Sequence, residues 1–164
     1  MNMKLSFRAL LCATAMSASL AGHAGSSTYV AGQRLSPAEL AKLSGTATVR
    51  LGSQSFRTLP GPATTKSLDT AANAATLVVN ERGVVGESRN EVLVSQVATQ
   101  DVRQKLGKLS HPAISAEYFD HMNLSKLKFA TFQDAVNARD QLKTLLAPDA
   151  GVDVPIRYGK PRVR

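Results

Sequence analysis

The chain has 164 residues and a formal net charge of +8, with a single cysteine and no tryptophan. A chain of this length can bury roughly two-thirds of its unfolded surface, which is enough for one compact core. The lone cysteine excludes an intrachain disulfide. Aromatic residues make up only 5% of the chain, which disfavours an aromatic-lined sugar or nucleic-acid surface.

The N-terminus has the three parts of a secretory signal peptide. Lys4 and Arg8 make the start basic, an apolar run of 13 residues follows over 9–21, and small residues precede a cleavage site after Ala24. The apolar run is short of the ~20 residues that a membrane-spanning helix needs. We therefore expect a mature chain of residues 25–164, periplasmic or secreted, with no transmembrane anchor. Cleavage removes Cys12 and two basic residues, which lowers the net charge from +8 to +6.

In the first half of the mature chain, the sequence predicts one short helix and one hairpin. Residues 36–39 (Ser-Pro-Ala-Glu) form a capping box with proline at the first helical position, and the helix is predicted over 37–43. Alternating residues predict strands over 46–51 and 55–59, joined by a turn at Gly52-Ser53. The stretch 60–75 is rich in Pro, Thr and Ala, which indicates a linker.

The second half alternates strands and helices. Thr99 and Thr131 are predicted to cap the two helices, because each precedes an apolar stripe with helical spacing. Pro155 cannot donate a ladder hydrogen bond, so the last strand is predicted at a sheet edge, where another chain could pair with it. The predicted strands are 76–80, 84–87, 90–98, 114–119, 124–130 and 152–158, and the helices are 99–109 and one that begins after Thr131 and closes at Ala147–Gly151.

This order predicts an α+β fold. From Val92 onward it reads strand, helix, strand, strand, helix, strand, which is the split βαβ pattern of a ferredoxin-like antiparallel sheet with two helices on one face. The hairpin at 76–87 would extend that sheet or lie beside it. We divide the chain into a signal peptide (1–24), an extension with a small helix and hairpin (25–75), and an α+β domain with a basic tail (76–164).

No pattern in the sequence predicts catalysis, a metal site or a cofactor. His111, Glu117, Asp120 and His121 lie close in sequence, but a metal site needs three or four convergent ligands at a known spacing, which these residues lack. We interpret them as turn and loop residues. The chain has no Gly-x-Ser-x-Gly motif, and cleavage removes the only cysteine. The prediction is therefore a non-enzymatic protein.

Basic residues crowd the C-terminus. Four of the last eight residues are Lys or Arg. Other basic residues of interest are Lys105, Lys108, Lys126 and Lys128. Clustered positive charge attracts anionic surfaces, or it keeps a protein soluble. Nucleic acid is not expected as a partner outside the cytoplasm. The tail 159–164 has no capping or core signal, so it is predicted to be extended and able to enter a groove of another protein.

The second half resembles the propeptides of subtilisin-type serine proteases and their stand-alone inhibitor relatives. The resemblance rests on Phe129-Ala130-Thr131-Phe132 leading into the helix 135–146, and on Pro148-Asp149-Ala150-Gly151-Val152 leading into the last strand. It covers about residues 92–164.

The resemblance implies a protein partner, a serine protease, on which the sheet face packs while the tail lies in the substrate cleft. We expect the chain to act in trans, as a folding helper or inhibitor. The alternative is an adaptor of the cell envelope that binds anionic surfaces or another protein through its basic face. By position, the partner-binding residues of the tail are Tyr158, Gly159, Lys160, Pro161, Arg162, Val163 and Arg164.

Overall fold

The computed structural model describes residues 29–60 and 75–159. The predicted signal peptide, most of the predicted linker and the tail from Lys160 lie outside the described residues. The helices are α1 (Pro37–Lys42), α2 (Thr99–Leu106) and α3 (Phe132–Leu145). The strands are β1 (Thr48–Leu51), β2 (Gln54–Thr58), β3 (Thr76–Asn80), β4 (Val85–Ser88), β5 (Glu91–Ser95), β6 (Ser115–Phe119), β7 (Leu124–Lys128), β8 (Gly151–Asp153) and β9 (Ile156–Arg157).

The strands form two antiparallel sheets, which gives an α+β fold. The first sheet has the order β1-β2-β3-β4-β9, and the second has the order β6-β7-β5-β8. The predicted hairpin 76–87 therefore lies beside the second sheet and does not extend it, because it belongs to the first sheet with β1, β2 and β9. Among the described helices, none is long and apolar enough to cross a membrane.

The second sheet packs one face against α2 and α3. Side chains alternate along its strands, so Val92 and Val94 of β5 and Leu127 of β7 point inward and are fully buried. They meet Val102 of α2 and Phe132 of α3 in one apolar cluster. The opposite face of the sheet carries the alternate residues, which are half-buried or exposed.

The first sheet lies between α1 and α3. On one side, Leu43 packs with Val79 and Val85 in a small cluster. On the other, the Phe56 ring meets the Phe132 ring edge to face, with centroids 6.1 Å apart and planes at 78°. Since Phe56 and Val92 belong to one apolar cluster, the predicted extension 25–75 shares a core with the predicted domain 76–164.

The single final strand predicted over 152–158 is wrong, because the structure divides it into β8 and β9. β8 pairs with β5 in the second sheet, and β9 pairs with β4 in the first. The break falls where the Val154 N–H donates to its neighbour Asp153 Oδ1 at 2.8 Å, just before Pro155, which has no N–H. Each piece lies at the edge of its sheet, which confirms the predicted edge position.

Two of the three predicted helix caps are confirmed. Ser36 and Glu39 form the reciprocal capping box, and the Thr131 hydroxyl accepts a hydrogen bond from the Asp134 N–H at 3.1 Å. The prediction for Thr99 is wrong, because α2 is capped by Ala98 without a side-chain bond. The Thr99 hydroxyl instead donates to the Asp120 carboxylate, which ties α2 to the turn between β6 and β7.

The capping box makes the stability of α1 depend on pH. The backbone N–H and hydroxyl of Ser36 donate to the Glu39 carboxylate and lower the pKa of that group. A lowered pKa in the folded state stabilises the protein above the ordinary carboxyl pKa, and this contribution is lost as the pH falls through the folded value. We expect Glu39→Gln to lower the melting temperature at pH 7 and to have little effect at pH 3, as measured by circular dichroism. An equal loss at both pH values would contradict the charged capping box.

Candidate partner-binding site

The structure describes two of the seven predicted partner-binding residues. Tyr158 and Gly159 follow β9 directly, at the outer edge of the first sheet. Tyr158 is 43% exposed, whereas Gly159 is half-buried against the N-terminal segment. The other five, Lys160, Pro161, Arg162, Val163 and Arg164, lie outside the described residues.

Gly86 of β4 provides the space in which the C-terminal segment lies. A Cβ atom at Gly86 would come within 2.5 Å of Ile156 Cγ2 and 3.1 Å of Tyr158 Cε1. The Ile156 side chain and the Tyr158 ring thus fill the place of a missing side chain on β4. Beside this ring is an open groove of about 420 Å³ with polar walls. The groove is lined by Ser53, Gln54, Asn80, Glu81, Arg82 and Tyr158.

Filling this space is expected to displace the C-terminal segment. We expect Gly86→Ala to lower the free energy of unfolding by about 1–3 kcal/mol, the usual range for overpacking. The matched control is Gly107→Ala, because an added Cβ there meets no atom within 4 Å. Urea titrations of both variants measure the difference. Equal stability of the two would show that β9 and Tyr158 do not pack closely on β4.

The second sheet presents a face that α2 and α3 do not cover; we call it the open face. Its apolar residues are Leu93, Phe119 and Leu124, which alternate with buried core residues and are themselves half-buried. Phe119 and Leu124 are direct cross-strand partners. Next to them, Lys126 Nζ bonds to Glu117 Oε2 at 2.9 Å. The open face therefore combines a small apolar patch with charged side chains, which are the bonded Glu117–Lys126 pair together with Glu91, Lys128 and Asp153. A protein surface can complement such a combination.

The structure does not bring the His and acidic candidates together in one site. His111 Nδ1 lies 3.5 Å from Asp134 Oδ1 at the start of α3. Asp120 and His121 lie in a short 3-10 helix between β6 and β7, where Asp120 bonds to Thr99 and faces Arg103 at 3.7 Å. Within residues 29–60 and 75–159, no group of three or more His, Cys, Asp or Glu side chains is arranged to hold a metal ion.

The basic residues singled out from the sequence lie on different surfaces where the structure describes them. Lys126 and Lys128 are on the open face, Lys105 and Lys108 are at the C-terminal end of α2, and Arg157 is on the first sheet opposite Glu87. Lys126 already pairs with Glu117. The described part of the chain therefore does not gather these charges into one basic face.

Two features of this region carried no signal in the sequence. The Arg139 side chain on α3 is only 12% exposed, and its Nη1 bonds to Asp140 Oδ1 at 2.6 Å. It lies under the β1–β2 turn, with Nη2 facing Gly52. The second feature is the close approach of Gly32 to Gly159, two residues that are 127 positions apart in sequence. A helical arginine and two glycines are too common to mark such contacts.

Comparison with known proteins gives no relative for this chain. No family model matches it, and neither a curated protein nor a solved structure does. The function is therefore argued from the geometry above.

Proposed function

We propose that this chain is an exported, non-enzymatic binding protein that acts in trans on a serine protease, as a propeptide-like folding helper or inhibitor. The finer fold proposed with it is the ferredoxin-like one. The order β6-β7-β5-β8, with α2 between β5 and β6 and α3 between β7 and β8, supports this interpretation.

The observation that carries the proposal is the open face. A sheet with helices on one side and a half-buried apolar patch on the other offers a broad surface for a partner. Leu93, Phe119 and Leu124 supply the apolar part, and the Glu117–Lys126 pair supplies a polar rim. An apolar patch with polar surroundings suits a protein contact, and the resemblance implies that the sheet face packs on the protease.

The C-terminal segment adds a second contact. The chain leaves β8 at the edge of the second sheet and continues through β9 to Gly159 at the edge of the first. The tail therefore begins on a different sheet from the open face. A partner that binds both the open face and the tail would therefore have to contact both sheets.

The second candidate is an envelope adaptor that binds anionic surfaces. The net charge expected for the mature chain, +6, favours it. The scattered positions of the described lysines and the pairing of Lys126 argue for the protein partner instead. The two candidates differ in salt dependence, because attraction of a basic surface to anionic material is screened strongly at high ionic strength.

The test is a pull-down of tagged residues 25–164 from envelope and culture-medium fractions, with captured material identified by mass spectrometry. We expect one serine protease in near-equal amount to the bait, retained at high salt. Capture of anionic envelope material that washes off with salt would replace the proposal with the adaptor function. A captured protease must also lose activity, or fold faster, when the purified chain is added.

A further inference from the structure

The outer edge of β4 is covered by two chain segments placed end to end. At one end, residues 32–35 bond to residues 83–85: the Gly32 N–H donates to the Val85 carbonyl at 2.7 Å and the Leu35 N–H to the Gly83 carbonyl at 2.8 Å. At the other end, β9 pairs with Glu87 and Ser88. Both segments run antiparallel to β4, so 156–159 and 32–35 together form one interrupted strand.

The interruption is a contact between two glycines. Residues 30–33 form a turn in which the Gln33 N–H donates to the Val30 carbonyl at 3.0 Å and Gly32 has φ +88°. A Cβ at Gly32 would come within 3.0 Å of the Gly159 carbonyl oxygen. A Cβ at Gly159 would overlap the carbonyl of Ala31. Only two residues without side chains allow the backbones to lie this close.

We propose that the turn Val30–Gln33 is a positioning element for the C-terminal tail. Because the turn occupies the β4 edge next to Gly159, it fixes where Gly159 lies and therefore the point from which the tail starts, which we call its exit. The importance of this exit for binding rests on the proposed function, in which the tail enters a protease cleft.

The hydrogen bonds indicate which of the two segments moves when the contact between Gly32 and Gly159 is disturbed. The turn is fixed to β4 by the N–H groups of Gly32 and Leu35 and by the bond from the Val85 N–H to the Gln33 carbonyl at 2.9 Å. Tyr158 and Gly159 follow a strand of only two residues. A side chain at position 159 is therefore expected to push the tail away from the turn.

The first experiment needs no partner. Trypsin cuts after Arg157, and we expect that bond to be protected while β9 is paired with β4 and Gly159 lies against the turn. We expect Gly159→Ala to speed cleavage at Arg157 about tenfold, as local release of a strand end does. Cleavage after Arg139 in α3 monitors global unfolding and should not change. Gly45→Ala is the control, because an added Cβ there meets no atom within 4 Å. Unchanged cleavage at Arg157 would overturn the positioning role.

The second experiment links the exit to binding. The probe is a subtilisin-type protease with its catalytic serine replaced by alanine, and its Kd is measured for four chains: wild type and Gly159→Ala, each with and without residues 160–164. We expect Gly159→Ala to weaken binding about tenfold in the full chain and to have no effect in the shortened one, because misdirecting a tail costs affinity only when the tail is present.

The outcomes separate this inference from the proposed function. An equal loss in both backgrounds would mean that Gly159→Ala acts through the fold, which overturns the inference. Loss on truncation without loss in Gly159→Ala would also overturn it and leave the proposed function standing. No effect of truncation on binding would remove the tail from the proposed function, while the trypsin result would still decide whether the turn directs the tail.

Discussion

Replacing Phe132 with alanine is expected to lower the free energy of unfolding by about 3–5 kcal/mol, the range for removing a buried phenylalanine. Phe132 is 1% exposed and begins α3, where its ring meets Phe56 of the first sheet edge to face. It also packs with Val92 and Val94 of the second sheet in the same apolar cluster. The substitution therefore leaves a cavity at the point where both sheets meet. Urea unfolding followed by far-ultraviolet circular dichroism measures the loss.

The matched control is Phe119→Ala, which removes the same ring from the open face. Phe119 is half-buried and lies outside the core clusters, so a much smaller loss is expected. Both variants should unfold in one transition, because β2 pairs with β3 and the sheets share a core. Two separate transitions in Phe132→Ala would show that the two sheets unfold independently, with the boundary between β4 and β5 and not at the predicted division at 75.

The sequence was sufficient to predict those elements whose signals are local. The capping box at Ser36 and the strand Thr76–Asn80 were both predicted at their observed positions. The strand Leu124–Lys128 was found with its alternation of buried and half-buried residues, because that pattern depends only on one sheet face being covered. Thr99 has the sequence context of a cap, but its hydroxyl donates a hydrogen bond to Asp120, 21 positions away.

The division into two sheets could not be predicted, because it depends on which strands pair over long separations. The residues 152–158 alternate as one strand, and the alternation persists through the structure in the burial of Val152 and Val154. The alternation does not indicate that β8 pairs with β5 while β9 pairs with β4. Register between distant strands is set by the whole core, and Pro155 marks a possible break without saying where the chain goes next.

The candidate site shows the same limit. The tail was placed at the C-terminus by its composition, and its start at a sheet edge followed from Pro155. The open face could not be predicted without knowing which face of each strand the helices cover. The contact between Gly32 and Gly159 joins positions from opposite ends of the chain, so it could not be predicted either. A sequence shows which side chains are charged or reactive, whereas both of these features depend on which segments the fold brings together.

Deletion of Lys160–Arg164 is expected to weaken the proposed protease complex by about 2 kcal/mol or more, which is about 30-fold in Kd, as loss of a central binding segment does. The deleted residues follow the last contact that the structure describes, at Gly159, so the fold should be retained. Unchanged melting temperature and far-ultraviolet circular dichroism are the accompanying measurements. Isothermal titration with the catalytically inactive protease gives the Kd.

A tail of the same length without basic side chains separates insertion from electrostatic attraction. Replacing Lys160, Arg162 and Arg164 with glutamine removes three positive charges and keeps the backbone that would lie in a cleft. If the tail inserts, this variant should retain part of the affinity that deletion loses, and the difference from wild type should shrink in high salt. If the glutamine variant loses as much affinity as the deletion, and this loss disappears in high salt, the tail acts by charge alone. The envelope-adaptor function would then explain the C-terminus better than a protease cleft, and only the open face would remain as evidence for a protein partner.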